Sequence, residues 1–212
     1  MEISSFFETF YTNILDTSVL ELIAVFFGLL SVWYAKKANI LVYPTGIISV
    51  LIYVNICFES QLYADMGINA FYFIMSVYGW IMWSKKIDKS KERKISWSSK
   101  KFNLGSLGFF VFSLFVTLGL LKIFKGDDAL YWNSYIPYID TLTTALSIVA
   151  MLQMALKKIE NWLLWILIDL ISVPLYFYKG LIFTSFQFAA FLVLAIMGYF
   201  EWKRIIEKEN AV

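Results

Sequence analysis

Long apolar runs separated by short polar breaks fill most of the chain. Seven runs approach or exceed the ~20 residues that a helix needs to cross a hydrocarbon layer of roughly 30 Å. They are 18–35, 39–58, 62–84, 104–124, 138–156, 161–178 and 181–202, taken here as segments one to seven. Ahead of them Ile3, Phe6, Phe7, Phe10, Ile14 and Leu15 recur at helical spacing. The spacing predicts that 1–17 is an extracytoplasmic segment lying as a short helix in the membrane interface. It carries no Lys or Arg, unlike the basic start of a cleavable signal peptide.

Polar residues inside the runs fall on stripes. In segment six Trp162, Trp165, Asp169, Ser172 and Tyr176 share one helical face, while Leu, Ile and Val fill the opposite one. Segment three shows Asp65, Asn69, Tyr72 and Ser76; segment two shows Tyr43, Gly46, Ser49 and Tyr53. Segment five shows Asp140, Thr144 and Ser147, and segment seven adds Thr184 and Gln187. Such stripes are predicted to face protein or water, not lipid.

The pattern also repeats. "YAKKANILVYPTGIISVLIY" (34–53) matches "ALKKIENWLLWILIDLISVPLY" (155–176), and "YGWIMWSKK" matches "MGYFEWKR" at an offset of about 120. The expected architecture is an all-α integral membrane fold of seven transmembrane helices, arranged 3+1+3 as parallel pseudo-repeats. Its parts are a first three-helix repeat (18–84), a basic cytoplasmic loop (85–103), a linker helix (104–124), a second repeat (138–204) and a cytoplasmic tail (205–212). Substrate is expected near the midplane between the halves.

Composition agrees: 60% of the 212 residues are hydrophobic and 16% charged, a membrane-protein balance. Of the 18 Lys and Arg, 15 fall on one side of the alternating spans. The positive-inside rule then puts the N-terminus outside and the C-terminus in the cytoplasm. A net charge of +2 suggests no nucleic-acid partner. The chain has no histidine, which removes Ser-His and Cys-His pairs and HExxH zinc helices; its one cysteine, Cys57, forbids an intrachain disulfide. No enzyme, cofactor or metal is expected.

The chemistry centres on Asp169. A charged residue at a helix centre costs roughly 2.5–3.5 kcal/mol on insertion scales, and no Lys or Arg lies at membrane depth. The acid is protonated, bonded to neutral donors, or matched by a cation from outside; the last explains most. Ring faces attract cations too, so a flat cationic ligand suits the stripes. Trp80, Trp83 and Trp202 read as interfacial anchors, Asp140 as a helix cap or a ligand contact, and Asn39 and Asn161 as turn residues.

"KKIENWLLWILIDLISVPLYFYKG", "TTALSIVA", "YPTGIISV", "INAFYFIMSVYGW" and "AIMGYFEWKR" resemble the Pnu family of bacterial vitamin transporters, nearest its PnuC-type nicotinamide riboside members. The resemblance implies a fold similar to SWEET proteins, a homotrimer in the bacterial inner membrane, and facilitated diffusion with cytoplasmic phosphorylation as the trap. It maps the family's tryptophan pair onto Trp162 and Trp165, its acid onto Asp169, and its helix-three positions onto Asn69 and Tyr72. The full predicted binding set adds Tyr43, Asp140, Thr144, Ser172, Tyr176 and Gln187. The partner is a small cationic vitamin, nicotinamide riboside or alternatively thiamine, carried across the lipid bilayer. Riboflavin, neutral and bulkier, fits the carboxylate less well.

Overall fold

The computed structural model describes residues 11, 12, 15, 17–60, 62–85, 93–126 and 128–211. Most of the predicted interfacial helix, and 86–92 of the basic loop, lie outside the described residues. Seven long helices follow: α1 Val19–Lys36, α2 Val42–Glu59, α3 Tyr63–Ser84, α4 Lys100–Lys125, α5 Ile136–Ala155, α6 Asn161–Tyr178 and α7 Ile182–Asn210. One helical turn, Ala129–Trp132, precedes α5. All but α3 contain a stretch apolar enough to cross a membrane by length and composition. In α3, Asp65, Asn69 and three tyrosines dilute the apolar residues.

Local chemistry sets the ends. Ser18 accepts a hydrogen bond from the Glu21 N–H at 3.1 Å, and Ser99 does the same for Phe102 at 3.2 Å. Each satisfies one orphan donor of a first turn. Pro137 sits in the first turn of α5, where a missing N–H breaks no helical bond. Two ends differ from expectation. α4, capped by Ser99, starts at Lys100, four residues before the predicted 104, and α7 runs on to Asn210 rather than stopping at 202. Residues 205–210 of the predicted tail are therefore helical, and Ile206 is buried in the core.

The helices close a ring. α1 packs on α2, α2 on α3, α3 on α5, α5 on α6, α6 on α7, and α7 back on α1; α4 stands outside, mainly against α5. Phe112, Phe115 and Ile123 of α4 are exposed, the surface expected of a helix facing acyl chains.

The internal repeat takes a register of its own. Ala38 (φ 51) and Lys157 (φ 52) hold the same left-handed position after α1 and α5, an offset of 119 (157 − 38). Their turns match bond for bond: Asn39 N–H donates to Tyr34 O as Lys158 N–H does to Gln153 O. These are Schellman closures. The bounds of α2 and α6 differ by the same 119, and Leu62 and Leu181 precede α3 and α7 with nearly equal backbone angles. The "ISV" pair that made the repeat visible in sequence lies 123 apart and is not equivalent.

Candidate functional site

At the lysine-rich end four rings form a chain across the two triplets α1–α3 and α5–α7, whose turns share the 119 offset. Tyr43 meets Trp83 edge-on (5.2 Å, 89°), Trp162 meets Trp202 likewise (5.6 Å, 89°), and Trp83 meets Trp202 at 6.2 Å. Each outer ring rests on a glycine. A Cβ at Gly79 would fall 2.4 Å from the Tyr43 ring, and one at Gly198 2.6 Å from Trp162. Two hydrogen bonds then tie the triplets reciprocally. Trp83 Nε1 donates to Met154 O at 3.2 Å, and Trp202 Nε1 to Ala35 O at 3.0 Å. Both pairs obey the 119 offset, so residue i of one half meets j of the other and the reverse, the mark of a two-fold-type interface. Trp83 and Trp202, expected as interfacial anchors, are instead 4% and 0% exposed. Trp80 alone of that group is exposed.

A strap covers this cluster. Ser96 N–H donates to Lys157 O at 3.1 Å and Ile159 N–H returns a bond to Ser96 O at 3.2 Å. The Ser98 N–H and Oγ both donate to the Glu160 carboxylate, at 2.7 and 2.9 Å. Ile95 is thereby buried against the rings. Residues 95–98 of the basic loop thus form a strap docked through Ile95, Ser96 and Ser98. Unsatisfied backbone groups and one apolar residue drew it in, a signal too short for hydropathy to show.

Outward of the rings lies Asp169, 3% exposed. No ion pair or side-chain hydrogen bond reaches its carboxylate among the described residues. Three donors of the predicted stripes, Tyr43 OH, Trp162 Nε1 and Trp165 Nε1, are buried with no partner among the described residues. Trp162 is fully buried beneath Gly198; Trp165 is half-buried against the cluster. Ser172 is buried on the same face. Tyr176 stacks on Phe188 (5.0 Å, 8°), and Phe188 meets Phe191 edge-on at 6.1 Å. Ser147 Oγ donates to Thr143 O at 2.8 Å and neighbours the Tyr72 hydroxyl across the α3–α5 seam, as Gln187 neighbours Tyr53. Thr144 is half-buried, while Asn69 spends its amide on Asp65 O at 2.9 Å.

Asp140 lies toward the opposite end. It does not cap α5, which starts at Ile136. Tyr131 OH donates to its carboxylate at 3.0 Å, and Lys179 Nζ approaches at 3.8 Å. Burial and the Asp140 charge both raise the Tyr131 hydroxyl's pKa. Asn39 and Asn161 are turn residues as read: Leu41 N–H donates to Asn39 Oδ1 at 2.9 Å, and Asn161 Nδ2 donates to Lys158 O at 2.6 Å.

Comparison with known proteins accords with this arrangement. The family model for nicotinamide mononucleotide transporters matches residues 18–204. The chain belongs to that family. It is a multi-pass membrane protein of a transporter family. It is 29% identical to the nicotinamide riboside transporter PnuC of Escherichia coli (strain K12), over 88% of this chain and 86% of that one. It is 26% identical to the riboflavin/roseoflavin transporter RibM of Streptomyces davaonensis, over 86% and 83%. The crystal structure of the vitamin B3 transporter PnuC shares the fold, with a TM-score of 0.69 at 22% identity, covering 96% of this chain and 90% of that one.

Sequence reasoning missed Ser96, Ser98, Glu160, Phe188 and Phe191. The phenylalanines carry no polar signal, and the strap residues act only through a turn more than 60 positions away.

Proposed function

We propose that this chain imports nicotinamide riboside by facilitated diffusion. The observation that carries the reading is Asp169, a mid-helix carboxylate that is almost wholly buried and has no ion pair or side-chain hydrogen bond among the described residues. A fixed pyridinium cation supplies the missing charge, and the ring donors of Tyr43 and Trp165 suit its carboxamide or hydroxyl oxygens. The riboside is preferred to the mononucleotide, because a phosphate at this depth would face Asp169 with no Lys or Arg to offset it. The names of the PnuC relatives support the choice. Thiamine, also a fixed cation, is the second reading. Riboflavin is disfavoured despite the RibM likeness, since a neutral ring leaves the carboxylate unmatched.

The ring order and constant offset support a 3+1+3 architecture of parallel repeats, SWEET-like, with α4 as linker. The lysine-rich end faces the cytoplasm of a bacterial inner membrane, the N-terminus lies outside, and α4 helps build a homotrimer. Substrate enters past Asp140, is held by Asp169, Trp165, Tyr72, Asn69, Thr144, Ser172, Tyr176 and Gln187, and leaves when the halves rock apart at the four rings. Stacking of Trp162 on the substrate requires that cluster to open. Phosphorylation in the cytoplasm then traps the vitamin.

Tryptophan fluorescence of the purified protein tests the substrate. Quenching by micromolar nicotinamide riboside, and not by its mononucleotide, is expected. Micromolar thiamine quenching without a riboside response would transfer the function to thiamine.

A further inference from the structure

The two triplets, α1–α3 and α5–α7, share their turns, glycine seats and reciprocal indole bonds, and the layer that holds Asp169 is one where their polar character differs. Seven residues from each anchor of the ring cluster lies another layer. On α5 and α1, Ser147 and Gly28 precede Met154 and Ala35 by seven. On α2 and α6, Val50 and Asp169 follow Tyr43 and Trp162 by seven. On α3 and α7, Tyr72 and Phe191 precede Gly79 and Gly198 by seven. Seven residues are two turns, about 10 Å of rise returning to nearly the same face. Two contacts pair four of the six at matching depths. Tyr72 interacts with Ser147, and a Cβ on Gly28 would lie 3.6 Å from the Phe191 ring.

Followed around the ring, the layer is split. Tyr72, Ser147 and Asp169 are contiguous on α3, α5 and α6; Phe191, Gly28 and Val50 are contiguous on α7, α1 and α2. The polar tyrosine–serine seam of one half has phenylalanine and glycine as its counterpart in the other. Val50 stands where the repeat has Asp169.

We propose that this split layer is the recognition layer and that Ser147 and Phe191 are specificity-determining residues. This rests on the transport reading above. Phe191 neighbours Asp169 around the ring, so the cationic ring lies on Phe191 with its charge against Asp169. The sugar hydroxyls then reach Tyr72 and Ser147 at the α3–α5 seam, while Gly28 and Val50 leave the remaining wall smooth.

The test uses calorimetry on the full chain in detergent with two probes: nicotinamide riboside and the N-methylated nicotinamide cation, which lacks the sugar. Ser147→Ala should weaken riboside binding about fivefold, the value of one hydrogen bond, and leave the methylated cation unchanged. Phe191→Leu should weaken both about tenfold through the lost ring face. Equal effects of Ser147→Ala on both probes, or no effect of Phe191→Leu in a variant that melts like the parent, would overturn the layer while leaving riboside transport standing. If the parent binds thiamine instead, the substrate reading falls. The same variants are then scored with thiamine against a thiazolium lacking the hydroxyethyl arm. A parent that binds none of these cations overturns both.

Discussion

At Asp169 stability and binding pull in opposite directions. An acid held in an ion pair stabilises its surroundings, and removing it leaves a partner stranded at a cost of about 3–5 kcal/mol. Asp169 has no such partner among the described residues. Asp169→Asn should therefore raise thermal stability in detergent, by up to about 2 kcal/mol, because a buried unpaired acid is costly at membrane depth. The same variant should bind the cationic vitamin at least about tenfold more weakly, the loss of one charge–charge contact. Calorimetric melting and titration check both signs. A fall in stability would mean that a partner holds the carboxylate. Its position was legible from one helical stripe. That Trp162 of the same stripe is plugged under Gly198 was not, because spacing along one helix says which residues share a face and not what packs against them.

Between elements, the decisive contacts are the paired indole–carbonyl bonds and the strap over them. Trp83→Phe and Trp202→Phe keep the rings and remove one donor each. Because the bonds are reciprocal, the two variants should cost the closed end equally, about 1 kcal/mol apiece. A cysteine at Ser76, placed in a Cys57→Ser background, lies two turns outward of Trp83 on the same face. Its labelling by an impermeant thiol reagent from the lysine-rich side should quicken about fivefold in either single variant and about thirtyfold in the double. Unchanged labelling in folded variants would show that this end does not open here. Helix bounds were largely readable: α6 falls on 161–178 as expected from apolar length and flanking turns. The repeat was also visible: "YGWIMW" against "MGYFEW" already runs at 119, while the "KK" and "ISV" matches, 121 and 123 apart, are out of register. "KK" and "ISV" repeat for local reasons, whereas the true equivalence is fixed by which backbone atoms close each turn.

For the whole molecule, the ring of six helices with reciprocal contacts predicts rocking of two halves about a shared seam. Under the facilitated-diffusion reading proposed above, that motion needs no energy input. Vesicles preloaded with unlabelled riboside should accumulate labelled riboside transiently by counter-flow, and collapsing proton and sodium gradients should leave the initial rate within about twofold. Dependence of that rate on either gradient would replace facilitated diffusion with ion coupling. Apolar length, the asymmetry of lysines and the duplicated pattern determined by themselves that this is a helical membrane protein with a carboxylate at mid-depth, since each is written in local spacing and composition. Only tertiary structure decided the constant offset of 119, the closure of α1 on α7, and the docking of the strap. It also placed Tyr72 with Ser147 on one seam and Phe191 with Gly28 on the other. Those depend on contacts between residues scores of positions apart, whose relative depth and facing are set by packing and leave no periodic trace along the chain.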